Sequence, residues 1–325
     1  MGFDLVALGE VMLRLSAPPP ERLEQAVALN VQIGGSEANV AAACARLGMR
    51  TALLSALPAA HPWADRAVRE LISHGVDCSG VRRPDGVRMG LYFLEYAPPP
   101  RPVRIHYDRR DSAASRLVAD DIDWSILRGA RLLHLSGITP ALGEGPRGVI
   151  RRAIAEAAAA SVPVSFDVNY RSRLWTPKEA RQFLLEVLPG VRYLFVGCDD
   201  AETVFELRGA PSAVLKGFRA LAPRATVALT LGEAGCAVLD DDAEWTPRKR
   251  YAVTVVDRVG AGTSAIVGAE DGLSDDDAGS CVPVGGGVAF IVPILTAVEY
   301  VVSISSEQLI ESVAAEQPIV ASKPI

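Results

Sequence analysis

Short runs of β-branched and leucine-rich residues alternate with segments of helical period along most of this chain, and that alternation narrows the possible folds sharply. "DLVALG" (4–9) reads as a strand, and "SEANVAAACARLG" (36–48) as a helix that opens at a serine cap and stops at a glycine. "TALLSAL" and "WADRAVRELISHG" repeat the pair. Further on, "ARLLHLSG", "RGVIRRAIAEAAAA", "VPVSFDV", "PKEARQFLLEVLPG", "VRYLFVG" and "DDAETVFEL" give strand, helix, strand, helix, strand, helix. The strand runs are apolar throughout, so both of their faces are buried, as in a parallel sheet covered by helices on each side. The expectation is an α/β fold built on a doubly wound, mostly parallel sheet, with ligands beyond the carboxyl ends of its strands.

Two segments break the rhythm. Residues 13–35 and 88–117 lack helical period, and the second carries two alternating runs, "GLYFLEYA" and "VRIHYDR", around a proline-rich turn. These regions, about 11–35 and 88–117, are expected to supply extra strands, either as a flap over a site or as a decorated sheet edge. From residue 269 the text changes character: "AEDGLSDDDAGSCVPVGGG" is acidic and glycine-rich, and 269–325 is set apart as an atypical C-terminal segment of one domain spanning 1–325. The apolar stretch 282–304 contains three glycines, two prolines and Glu299, which favours a buried strand or helix over a membrane span.

Composition bounds the partners. The 325 residues are 49% hydrophobic and carry a net charge of -6, so the chain can bury a large core and is repelled by a nucleic-acid backbone. Any phosphate site must therefore be local. Cys44, Cys78, Cys198, Cys236 and Cys281 are scattered without a CxxC pair and read as reduced thiols of a cytoplasmic protein. "MGFDLVALGE" shows no export signal, and His61, His74, His106 and His134 have no metal-ligand spacing.

Two glycine turns carry the chemistry. In "DRVGAGTSAIVG" (257–268), Gly260, Ala261 and Gly262 can aim successive backbone N–H groups at an anion, and a following helix adds its positive end. A lone GxG is more often a tight turn than an anion site. In "QIGGSEANVAAACARLG" (32–48), Gly34 and Gly35 permit close backbone approach to a small polar ligand while Asn39 offers a donor and an acceptor. An ordinary helix cap has the same look.

Together the two stretches complete a pair of signatures, GGxxxNxAxxxxxxLG at 34–48 and DxxGAG at 257–262, and over residues 3–268 the chain resembles the ribokinase-like (PfkB) family of carbohydrate kinases. The resemblance implies a three-layer ribokinase-like fold with a small β-strand flap. "GEVMLRLS", "YDRRDSAASRL" and "VNYRSRLW" look like the branch that phosphorylates 2-keto-3-deoxygluconate. The implied ligands are a sugar acid, ATP and Mg²⁺, in a homo-oligomeric enzyme with no nucleic-acid or membrane partner. Arg109 and Arg171 would clamp the carboxylate, since a guanidinium fork matches it. By the same resemblance Gly34, Gly35, Tyr92, Tyr107 and Ile138 line the sugar and Asn39 meets its hydroxyls. Thr230, Gly232 and Gly235 would border the nucleotide. The family's NxxE motif falls on "GCDD", with Gly197 at its Asn position and Asp200 at its Glu position; Asp200, assisted by Asp167, would hold hydrated magnesium.

The residue after GAG is the family's catalytic base, an aspartate, and here it is Thr263. A threonine hydroxyl does not accept a proton near neutral pH, and general-base assistance is typically worth about 10²–10⁴-fold, so activity is expected to be impaired. The likeness fades just past this point, which favours a reading-frame change near codon 263 over a divergent, catalytically silent sugar- or nucleotide-binding protein. A kinase for a neutral sugar, fructose or ribose, is the alternative within the class.

Overall fold

The computed structural model describes residues 2–96, 103–240 and 243–245, together with short strands at 266–267, 282–284, 287–291, 304–305 and 308–309. The chain enters through β1 (Leu5–Leu8), crosses to β2 (Met12–Ser16) and β3 (Asn30–Gly34), and returns through α1 (Ser36–Arg46) to β4 (Thr51–Ala56). Then follow α2 (Pro62–Ser73), β5 (Val76–Asp77), β6 (Val81–Arg82), β7 (Gly90–Glu95) and β8 (Arg104–Asp108). A second series comprises β9 (Leu133–Ser136), α3 (Glu144–Ala159), β10 (Val164–Asp167), α4 (Pro177–Val187), β11 (Tyr193–Gly197) and α5 (Cys198–Phe205). It ends with α6 (Pro211–Leu221), β12 (Thr226–Thr230), β13 (Cys236–Asp240) and β14 (Ala243–Trp245).

The main sheet runs β14-β13-β12-β11-β10-β9-β1-β4-β5, with β6 also on β4. Pairing is parallel from β12 across to β5, and antiparallel only where β13 and β14 close the far edge. The apolar strand runs explain this directly: β1, β4 and β9 are buried at every position, as a strand covered on both faces requires. Phe166, Leu133, Leu8 and Leu54 are fully buried in the largest core cluster, where truncation of a side chain costs about 2–5 kcal/mol.

The rhythm-breaking segments form one separate four-stranded sheet, β3-β2-β7-β8, with β2 and β7 parallel and the outer pairs antiparallel. This is the flap. Its run "GLYFLE" and its partner "RIHYD" pair Tyr92 directly with Tyr107. The short strands at 266–267, 282–284 and 287–291 make a small sheet and 304–305 with 308–309 a two-stranded ribbon, neither paired with the main sheet among the described residues. Among the described residues no helix is long and apolar enough to cross a membrane.

Two local readings change. Gly35, not Ser36, is the N-cap of α1, and Ser36 is its first helical residue. The serine hydroxyl instead accepts a hydrogen bond from Asn169 Nδ2 at 3.2 Å. Cys44, Cys78 and Cys198 are free thiols, but Cys236 is disulfide-bonded, contrary to the expectation that all five are reduced. The glycine stops do hold: Gly48 and Gly75 follow α1 and α2 at φ 89° and 92°, a left-handed conformation that side chains resist.

Candidate active site

Polar residues gather where the parallel strands end. Glu10 lies just past β1, Ser136 closes β9, Asp167 closes β10, Gly197 closes β11 and Thr230 closes β12. Adjacent parallel strands end side by side here, which brings side chains from distant parts of the chain to one edge of the sheet, where ligands of such folds bind.

On the side facing the flap, two carboxylates are buried. Glu10 is 3% exposed and accepts from Arg109 Nε at 2.8 Å, from Arg109 Nη2, and from Ser112 Oγ at 2.5 Å. Glu37, in the first turn of α1 and 1% exposed, accepts from Ser136 Oγ at 2.5 Å and Thr139 Oγ1 at 3.3 Å. Burial raises the Glu37 pKa, opposed by its bond to Ser136 and by the Arg109 charge. Arg109 also sits 5.4 Å from the Tyr107 ring centre, and Tyr107 lies 5.9 Å from Tyr92.

The two signature glycines are explained by these neighbours. A Cβ at Gly34 would lie 2.6 Å from the Tyr92 hydroxyl, and one at Gly35 would lie 2.5 Å from the Glu10 carbonyl oxygen. The close approach they permit is therefore to the protein's own wall, with Gly34 at the end of β3 packed beneath the tyrosine. Gly137 is needed likewise, because a Cβ there would collide with the Val168 carbonyl. Ile138 is buried beside it, and Asn39 is half-buried on α1.

Toward the middle of the crevice stand Asp167, Asn169, Arg171 and Asp200. Asn169 takes a positive φ of 40°, which turns the chain sharply after β10, and its Nδ2 donates to Asp167 Oδ2 at 3.0 Å. Burial above all, and then the neighbouring Asp200 charge, push Asp167 up to about 7 against the pull of Arg171. Burial likewise raises Asp200, which accepts the Tyr170 backbone N–H at 3.0 Å. Arg171 is exposed and forms no ion pair among the described residues, although its charge lowers both aspartates.

The two arginines expected to clamp a carboxylate are thus unequal. Arg109 is 6% exposed, with two donors of its fork committed to Glu10, whereas Arg171 is free to meet a ligand. Further along the strand ends, Gly197 pairs in register with Thr230, and a Cβ at Gly197 would rest 3.4 Å from Thr230 Oγ1. Gly232 and Gly235 follow in a tight turn at φ 58° and 97°, closed by Leu231 N–H to Gly235 O at 2.8 Å. Gly260, Ala261, Gly262 and Thr263 lie outside the described residues.

Sequence reasoning passed over Glu10, Glu37, Ser112 and Ser136. The usable signal for Glu10 was an acid directly after an all-apolar strand, a place where ligand and wall chemistry concentrates. Glu37 sits in an alanine-rich helix whose buried face it shares, which only the packing reveals.

Carboxylates, guanidinium groups and glycine turns at the strand ends of a mostly parallel sheet, tied to a separate four-stranded sheet through Glu10 and Arg109, are the arrangement of an α/β enzyme of the carbohydrate-kinase kind. The model of the pfkB family carbohydrate kinases matches residues 3–279, somewhat further than the likeness read from the motifs. The chain belongs to that family. It is 36% identical over 269 residues to the 2-dehydro-3-deoxygalactonokinase of Haloferax volcanii, covering 83% of each chain. It is 33% identical over 262 residues to the 2-dehydro-3-deoxygluconokinase of Thermoproteus tenax, covering 80% of this chain and 78% of that one. The crystal structure of 2-dehydro-3-deoxygluconokinase from Thermotoga maritima superposes with a TM-score of 0.76 at 34% identity, covering 81% of this chain and 84% of that one.

Proposed function

We propose that this carbohydrate kinase moves the terminal phosphoryl group of ATP to the 6-hydroxyl of a 2-keto-3-deoxy sugar acid, with 2-keto-3-deoxygluconate the leading substrate. The observation that carries this reading is the exposed Arg171, close enough for its charge to act on Asp167 and Asp200 and in no ion pair among the described residues. A neutral sugar has no use for it; a carboxylate meets it as a bidentate partner. The names of the relatives from Haloferax volcanii and Thermoproteus tenax support a substrate of this class.

In this reading Arg171 binds and orients the acid, with Arg109 offering what remains of its fork. Tyr92, Tyr107, Ile138 and the Gly34–Gly35 turn shape the sugar wall, and Asn39 meets a hydroxyl. Thr230 and the Gly232–Gly235 turn border the nucleotide. Among the described residues no group of three or more acidic, histidine or cysteine side chains forms a metal cage, but Asp200 and Asp167 suit a magnesium ion that keeps its waters and phosphate oxygens. Bound there, the ion supplies positive charge to the phosphates. The amides of Gly260, Ala261 and Gly262 would stabilise charge on the transferring group. Thr263 leaves the attacking hydroxyl without a carboxylate to take its proton, so transfer rests on positioning and charge alone. That residue is also what favours a second reading, a binding protein that occupies the same cleft without turnover. The chain is taken to work in the cytoplasm as a homo-oligomer joined through the flap, whose β3 and β8 edges pair with no further strand among the described residues.

Titration calorimetry tests the substrate assignment. Heat of binding for 2-keto-3-deoxygluconate or its galactonate epimer, at least tenfold tighter than for fructose or ribose, is expected. Equal or tighter binding of the neutral sugars rejects it.

A further inference from the structure

We infer that Glu10 is a positioning residue for the sugar site: it anchors the flap to the main sheet through Arg109 and so sets the geometry of the substrate wall. The inference rests on the proposed sugar side of the crevice and adds to it a residue with no role assigned so far.

The geometry is a chain of contacts that starts in the main sheet and ends on the flap. Glu10 follows β1, which lies between β9 and β4 inside the main sheet, while Arg109 follows β8 at the flap's outer edge, 99 residues later. One Glu10 oxygen takes both Nε and Nη2 of Arg109, and the other takes Ser112 Oγ at 2.5 Å, so both oxygens are engaged by the segment that follows β8. Arg109 in turn faces Tyr107, Tyr107 packs on Tyr92, and the Tyr92 hydroxyl covers Gly34. Four of the residues assigned to the sugar therefore hang in series from one carboxylate.

The surroundings of Glu10 are built to hold it still. A Cβ at Gly90 would lie 2.5 Å from Glu10 Oε1, and a Cβ at Gly35 would lie as close to its carbonyl oxygen. Gly90 of β7 thus closes over the carboxylate, while Gly35, the cap of α1, closes over the Glu10 backbone. A buried ion pair of this sort is a poor source of net stability, because desolvation offsets the attraction, but it specifies one arrangement strongly. Removing one partner leaves the other charge buried and unmatched. What Glu10 provides is register between two sheets that share no strand pairing among the described residues.

The test uses the full chain and a double-mutant cycle. Glu10→Gln, Arg109→Gln and the double variant are titrated with 2-keto-3-deoxygluconate and, separately, with a non-hydrolysable ATP analogue, and amide exchange is followed in the ligand-free proteins. Glu10→Gln should weaken sugar-acid binding about tenfold or more while ATP-analogue affinity stays within twofold. The double variant should lose no more than Arg109→Gln alone, since Glu10 acts through Arg109. Amide exchange over 104–112 should quicken at least tenfold, with β10 and β11 unchanged. Ser112→Ala, which removes one hydrogen bond and no charge, serves if Glu10→Gln does not fold, and should show the same pattern in smaller measure. Additive losses in the cycle, an equal loss for both ligands, or unchanged exchange over 104–112 overturns the inference. If the unaltered chain binds no sugar acid, the substrate assignment fails, and the exchange data still decide whether Glu10 anchors the flap.

Discussion

Gly34→Ala is the substitution whose effect follows most closely from the coordinates. Gly34 does not have a positive φ, so an added methyl meets no backbone penalty and acts through sterics alone. Its Cβ would stand 2.6 Å from the Tyr92 hydroxyl and 3.1 Å from Tyr92 Cε1, where ordinary contact begins at 3.4 Å. The hydroxyl must retreat by about 0.8 Å to restore that contact. Tyr92 is buried, packed 5.9 Å from Tyr107, so the displacement passes along the proposed sugar wall instead of being absorbed in solvent. Overpacking of this degree costs about 1–3 kcal/mol of stability, and a misplacement approaching 1 Å in a binding wall can cost about 10²-fold. The expected result is a folded protein with a lower melting temperature, sugar-acid affinity reduced about 10- to 100-fold, and ATP-analogue affinity unchanged. Calorimetry with both ligands beside a thermal melt reads all three. Wild-type sugar-acid affinity in a well-folded Gly34→Ala protein would refute the placement of Gly34 and Tyr92 in the sugar wall.

Three further outcomes follow from the crevice. Arg171→Ala should raise the KM or Kd for the sugar acid at least tenfold more than for fructose or ribose; equal changes would count against its carboxylate role. Asp167 holds its proton up to about pH 7 in the folded chain but releases it near 3.8 when unfolded, so the native state binds more protons in that window and stability falls as pH rises through it. Melting temperatures of Asp167→Asn should therefore decline less than wild type between about pH 4 and pH 7, and a parallel decline would contradict the assigned environment. Gly197→Asn should fold normally, since Gly197 has an extended backbone at φ -81° and its Cβ would only touch Thr230. By restoring the side chain usual at that position it should tighten Mg²⁺-dependent ATP-analogue binding, and a fall in affinity would argue that Asp200 is not the metal-side acid.

Much of the architecture was legible in the sequence because burial on both faces leaves an unbroken apolar run. "DLVAL", "LLHLS" and "VSFDV" announced β1, β9 and β10, and glycines 48 and 75 marked helix ends by their left-handed φ. The flap hairpin was visible too, as alternation around prolines. What could not be read was whatever depends on pairing at long range. Nothing local shows that β2 and β7 lie parallel, 78 positions apart in the Met12–Gly90 register, or that Arg109 belongs to Glu10. The helix α6 escaped notice because Gly217 interrupts its pattern; the structure explains that glycine by Leu207, whose Cδ2 would lie 2.6 Å from a Cβ there. The site itself was half legible. Motif residues named Tyr92, Tyr107 and Arg109, which do pack together, yet a local string cannot distinguish a guanidinium bound to the protein's own carboxylate from one in no ion pair among the described residues. That distinction separates Arg109 from Arg171.

The central claim, a sugar-acid kinase whose turnover is limited by the residue at 263, is tested most directly by phosphotransfer itself. The native chain and Thr263→Asp are each incubated with ATP, Mg²⁺ and, in turn, 2-keto-3-deoxygluconate, 2-keto-3-deoxygalactonate, fructose and ribose, and ³¹P resonances of sugar phosphate are followed. The account predicts a sugar-acid 6-phosphate formed slowly or not at all by the native chain and about 10²–10⁴ times faster by Thr263→Asp, with the neutral sugars far behind. A native chain already as fast as the variant, or a neutral sugar phosphorylated in preference to the acids, would contradict it.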